Sequence, residues 1–185
     1  MRGSEASHRL EFAREVAMLR PVSVFVLLTF LGAVPFVPAE GRQEGANFEM
    51  TKDEKTLLEL TNKERAKEKL PPLRPHPVLF AVARRHSANM AKQSKMEHVL
   101  DGRNPGQRVL AAGYDYGKVT ENIATSDMPG VPLSTIVKEW MESKEHRDNL
   151  LSDRVSETGL GIAKNGKGEF YYTQVFARPR KVIKK

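Results

Sequence analysis

None of the 185 residues is cysteine, so whatever this chain folds into is held together by burial and hydrogen bonding alone. That absence excludes cysteine nucleophiles, thiolate zinc sites and thiol redox chemistry. It bears on the fold because the chain carries the marks of export, a route on which small domains are commonly stapled by disulfides. Met18-Leu19-Arg20 precedes an apolar run from Pro21 to Val37, and Val37-Pro38-Ala39 supplies small residues where a signal peptidase reads. These features predict a signal-peptide region over 1–39 with cleavage after Ala39, and Met18 is a second candidate start. The alternative is a retained anchor, but the run is interrupted by Pro35 and is shorter than the roughly 20 residues a spanning helix needs.

The remainder is long enough for one core and too short for two. Its charge is unevenly placed. Residues 1–39 account for +1 of the net +7 and the tail 178–185 for +5, which leaves +1 for the body. The basic character therefore belongs to a tail and not to a groove, which argues against nucleic acid as a partner. The tail reads as a solvated terminus able to touch an anionic lipid or cell-wall polymer.

Residues 40–50 read as a linker, followed by a single domain over 51–177. Thr51 to Glu54 has capping-box spacing and opens a helix expected to reach Lys69, stopped by Pro71 and Pro72. Leu73 to Pro77 is a stiff extended connector. Pro77 starts a second helix expected to reach Lys95, with Val82, His86 and Met90 on one broad face. His86 reads as a partly buried, satisfied histidine, and His76, between two prolines, as exposed. A short helix over 107–112 stops at Gly113, and a strand is expected over 119–124. Ser134 is placed to cap a third helix ending at Ser143. The strand-like runs 158–164 and 170–177 flank Asn165-Gly166-Lys167-Gly168, a hairpin signal. Trp140, Tyr171, Tyr172 and Phe176 fall at core periods. The fold expected is α/β (α+β), with a small mixed or antiparallel sheet.

From Leu57 to Phe176 the sequence resembles the bacterial branch of the CAP superfamily of cysteine-rich secretory, antigen-like and pathogenesis-related proteins. The matching pieces occur in family order: Leu60-Thr61-Asn62-Lys63-Glu64-Arg65, His86-Ser87 with Asn89-Met90-Ala91, His98, Arg108 with Ala112-Gly113-Tyr114, and Glu121-Asn122-Ile123-Ala124. Trp140, Ser143, His146-Arg147, Asn149-Leu150, Gly159-Leu160-Gly161 and Gln174-Val175-Phe176 complete the set.

The resemblance implies a three-layer α-β-α sandwich with a cleft where two His and two Glu often bind a divalent cation. By position, His98, Glu121 and His146 match three of these four. Ser143 stands where many eukaryotic members carry the second Glu, and Thr120 replaces the glycine usual before Glu-Asn-Ile-Ala. The expected cleft is thus His98, Glu121, Ser143 and His146, with His98 and His146 as metal ligands for Zn²⁺ or Mg²⁺ and Glu121 orienting an imidazole. Glu139 and Glu142 are candidate substitute carboxylates. Read without the resemblance, His98 and His146 simply end a helix and begin a turn.

The leading function is a non-enzymatic, extracytoplasmic binding module for a small hydrophobic molecule, a peptide or a cell-envelope component. The alternatives are a metal-assisted hydrolase of peptidase or esterase type, using His98, His146 and Glu121, and an adhesive envelope protein using the tail.

Overall fold

A computed structural model describes residues 48–181. The signal-peptide region and most of the linker lie outside the described residues. Among the described residues no helix is long and apolar enough to cross a membrane.

The elements run α1 (Lys52–Lys67), β1 (Arg74–Pro75), α2 (Pro77–Gln93), α3 (Pro105–Ala111), β2 (Tyr116–Ser126), α4 (Leu133–Glu142), α5 (Lys144–Leu150), β3 (Glu157–Lys164) and β4 (Phe170–Pro179). The four strands form one sheet in the order β1-β3-β4-β2. β1 is parallel to β3, while β4 is antiparallel to both β3 and β2. The sheet is therefore mixed. The extended connector supplies its parallel edge: the His76 amide donates to the Thr158 carbonyl at 3.0 Å, and the Arg74 amide to that of Ser156 at 3.0 Å.

The central strand β4 is buried on both faces, and its alternating side chains sort the helices into layers. Tyr172 and Phe176 join Leu57, Leu58, Ile136, Val137, Trp140 and Leu150 from α1, α4 and α5. Val175 and Ala177 face the opposite way, onto Leu79, Val82 and Ala83 of α2 and Val109 of α3. This is an α-β-α sandwich. The aromatic residues at core periods are core: Trp140, Tyr171, Tyr172 and Phe176 are all buried.

Two glycines set the distance between α2 and the sheet. A Cβ on Gly159 would overlap the backbone of Leu79 and Phe80, and one on Gly161 that of Ala83 and Arg84. Polar groups fix the same contacts. Ser87 Oγ donates to the Gly161 carbonyl at 2.9 Å and lies 2.8 Å from Thr173 Oγ1. On the other face, Thr61 and Gln174 meet at 3.3 Å.

Local expectations hold where side chains close their own turns. Thr51 and Glu54 form the reciprocal capping box. In the β3–β4 hairpin, Asn165 Oδ1 accepts from the Lys167 and Glu169 amides, and Gly168 takes φ +94°. Other boundaries shift for identifiable reasons. α1 ends at Lys67, with Lys69 at φ 57° and the Leu70 amide returning to the Arg65 carbonyl. α2 ends at Gln93, because Ser94 turns left-handed at φ 50°. Ser134 is not a cap. α4 begins two residues earlier than such a cap would allow, behind Pro132, whose ring holds φ at −58°, and no side chain caps it. β2 is longer than expected at both ends. β4 carries Arg178 and Pro179, and Arg180 Nε reaches Asp115 Oδ1 at 3.0 Å, so the tail leaves the domain later than composition suggested.

Glu54 also ties α1 to α2. Its carboxylate accepts from Arg84 Nε at 2.7 Å and Nη2 at 2.6 Å, while Arg84 Nη2 also donates to the Glu49 carbonyl. Burial alone would raise the Glu54 pKa, but the Arg84 and Thr51 hydrogen bonds outweigh it and hold the pKa below 4.5. A carboxyl depressed in the folded state adds stability above its unfolded pKa and loses that contribution as pH falls through the folded value. Thermal melts of the wild type and Glu54→Gln are therefore expected to differ most near neutral pH and to converge below about pH 4.

Candidate functional site

Strand β2 lies at the sheet edge opposite β1 and pairs only with β4. Its residues alternate faces, so Glu121 and Asn122 serve opposite sides. Glu121 points toward α2 and α3. Asn122 points toward α5, where its Nδ2 donates to the His146 carbonyl at 2.9 Å. Asn149 Nδ2 lies 3.0 Å from Asn122 Oδ1 and 3.3 Å from the Glu121 carbonyl. Trp140 Nε1 donates to the Ile123 carbonyl at 3.1 Å. These three side chains bind β2 to the layer formed by α4 and α5.

Glu121 is almost wholly buried, its side chain 1% exposed, and three basic groups surround it. His98 Nδ1 lies 2.9 Å from Oε1, Arg108 Nη2 donates to Oε2 at 2.7 Å, and His86 Nε2 stands 3.7 Å from Oε1. Arg108 also ties down the loop that carries His98: its Nη1 donates to the carbonyls of His98 at 2.8 Å and Arg103 at 2.7 Å. A carboxylate only accepts hydrogen bonds, so His98 Nδ1 carries the hydrogen, and in the neutral ring Nε2 is the nitrogen with the lone pair. The His98 side chain is 47% exposed. One end of the ring is held in the protein and the other is presented outward.

His146 does not begin a turn; it lies within α5, half-buried. Its pKa is lowered, first by burial and then by the nearby His98. The two imidazoles are thus close enough for their charges to oppose each other. Ser143 joins α4 to α5, and its carbonyl accepts from the Arg147 amide at 2.9 Å; its hydroxyl makes no hydrogen bond among the described residues. Glu142 is not a substitute carboxylate. It is exposed and faces Lys138 at 3.7 Å. The structure therefore joins His98 to Glu121 directly and His146 to the same strand through Asn122, while Ser143 stays one turn of helix away.

Two participants went unread as site residues. His86 is fully buried rather than partly so, and its Nε2 stands beside Glu121 without a hydrogen bond to it. Its pKa is lowered chiefly by burial. Arg108 is the second. An arginine in a short helix 13 residues before a glutamate carries no signal of its own, and only the packing of α3 against β2 brings the pair together. His76, expected to be exposed, is half-buried with its ring edge-on to Tyr114 at 4.8 Å.

As a cation site the cluster is incomplete. Among the described residues no three His, Cys, Asp or Glu side chains are grouped to hold a metal ion. Both Glu121 oxygens are already engaged, which leaves two imidazoles as donors.

An α-β-α sandwich with a buttressed imidazole at the open edge of its sheet is the architecture of a CAP-type domain, and by sequence the chain belongs to that cysteine-rich secretory protein family, matching it over residues 58–176. It is 32% identical over 124 residues to the uncharacterized protein YkwD of Bacillus subtilis, covering 66% of this chain and 46% of that one. It superposes on an outer surface protein of Borrelia burgdorferi with a TM-score of 0.65 at 21% identity, covering 73% of this chain and 98% of that one. An extracellular SCP-domain protein of Bacillus anthracis gives 0.58 at 27% identity, over 71% of this chain and 45% of that one. The chain thus spans less than half of YkwD and of the B. anthracis protein. A more distant fold neighbour, NaASP2, was solved with Zn²⁺, with a TM-score of 0.50 at 13% identity over 71% of this chain and 82% of that one.

Proposed function

We propose that this chain is an extracytoplasmic binding module whose cleft, at the edge of β2, recognises a ligand through His98 with His146 beside it. The observation that carries this reading is the orientation of His98, with Nδ1 on a buried carboxylate and Nε2 toward the open side. Such buttressing fixes tautomer and direction before a ligand arrives and strengthens the ring as an acceptor or metal donor. The ligand is a small hydrophobic molecule, a peptide or a cell-envelope component that offers a hydrogen-bond donor to Nε2. Export is supported by the signal-like segment before Ala39 and by the extracellular and outer-surface relatives.

A divalent cation is a secondary occupant. Two imidazoles without a third protein ligand make a weak Zn²⁺ site, because each further ligand adds to affinity. No step of this function depends on it. The test is a thermal-shift screen of lipids, envelope fragments and Zn²⁺ on the wild type, His98→Ala and Glu121→Gln. At least one compound is expected to raise the wild-type melting temperature and to lose that effect in His98→Ala, with Glu121→Gln intermediate because the ring remains but its support weakens. Equal responses in wild type and His98→Ala would overturn the assignment.

A further inference from the structure

Beside Arg108, α2, α3 and the loop between them line an open pocket of about 530 Å³. Its floor is apolar, formed by Val82, Leu100 and Ala112, and its walls carry Arg85, Arg103 and Arg108. The size is that of a small-molecule pocket.

The charges in it do not balance. Arg108 is opposed by Glu121. Arg85 and Arg103 have no acidic partner among the described residues, and the Arg85 Nε–H goes to the Ala81 carbonyl. The one carboxylate in the wall, Asp101, is bound by the side-chain amides of Asn89 at 2.8 Å and Gln93 at 3.1 Å and faces neither guanidinium as a salt bridge. Two free cations against one anion leave an excess of one positive charge.

Arg108 adds unmet polarity to the wall. Its Nε is buried without a hydrogen-bond partner, although both of its other guanidinium nitrogens are engaged. Buried polar atoms left in this state mark a place where a partner is missing. A guanidinium offers paired donors to a carboxylate or a phosphate oxygen pair, and the apolar floor suits a hydrocarbon body.

The geometry points to a second ligand site in this pocket, one that takes a small amphiphilic monoanion with its carboxylate or phosphodiester group on the Arg85 and Arg103 guanidiniums and its apolar part on Val82 and Leu100. A dianion fits less well, since Asp101 shares the wall. The pocket adjoins the His98 cluster through Arg108 and His86 but is lined by neither His98 nor Glu121, and the proposal does not depend on what that cleft binds.

Calorimetric titration of the full chain with 1-naphthoate, methyl phenyl phosphate and the neutral 1-naphthalenemethanol tests this. At least one anion is expected to bind about tenfold more tightly than the neutral compound, and added salt is expected to weaken the anion alone. Binding by naphthoate alone assigns soluble carboxylates; binding by the phosphodiester alone assigns a lipid or polymer headgroup. The double variant Arg85→Gln/Arg103→Gln, both positions exposed, is expected to lose that preference with its melting temperature retained. His98→Ala is expected to bind as wild type, which separates failure of this site from failure of the cleft. Absence of an anion preference, insensitivity to salt, wild-type binding by the double variant or loss of binding in His98→Ala would each overturn the proposal.

Discussion

Replacing Gly159 with alanine is expected to leave little folded protein, with a loss of about 3 kcal/mol or more, at the upper end of what overpacking costs. The reason is what the new methyl group would meet. At most overpacked positions a side chain can rotate away, but here the obstacle is the α2 backbone itself, the Leu79 carbonyl carbon and the Phe80 nitrogen. The helix must lift off the sheet, and it takes the Ser87 bonds to Gly161 and Thr173 with it. Gly161→Ala presses on the next turn, at Ala83 and Arg84, and is expected to behave the same way. Denaturant melts will show this, and Gly166→Ala, in a hairpin turn with open space around it, is the control expected to change little.

The second large effect is expected at Arg65, which is 1% exposed and yet makes no salt bridge among the described residues. Its guanidinium closes three backbone carbonyls, with Nε on Pro71 and Nη1 on Leu150 at 2.8 Å and Ser152 at 2.9 Å. Through it the end of α1, the proline connector and the end of α5 are joined at one point. Arg65→Met fills a similar volume and leaves those carbonyls without their donor, that of Leu150 buried and those of Pro71 and Ser152 partly so. Each unsatisfied group costs about 1–3 kcal/mol, so a loss of about 3 kcal/mol or more is expected in urea unfolding. Arg65→Lys keeps the charge but not the planar fork, and is expected to recover only part of the loss.

Neither residue advertised its role in the sequence. Gly159, Gly161 and Arg65 stood out only as pieces of the family-matching set, because nothing local shows that a helix will lie on the glycines or that the guanidinium will be buried. What was legible was local chemistry: Thr51 with Glu54, the prolines that end α1, and the Asn165–Gly168 turn each satisfy their own backbone within a few residues. β1 escaped notice because two residues, one of them proline, have no period to detect, and α5 because, unlike the equally short α3 with its glycine stop, it has no side-chain cap to mark it. In the cleft, His98, Glu121 and His146 could be named only through the resemblance to CAP proteins. Residue spacing gave no reason for a ring at 98 to rest on a carboxylate at 121. The arginine that supports both was legible only as a matching motif residue, since its contacts depend on how α3 packs on β2.

The inner strand β4 is also the last of the described elements. A ribosome or a translocation pore delivers α1 through α5 before Phe170–Pro179 emerges, and until then α2 has no completed surface to land on and β2 has no neighbour. Contacts that span most of the chain form slowly and late. The domain is therefore expected to stay open until Phe170–Pro179 is in place, which makes loss of that one strand more damaging than its length suggests.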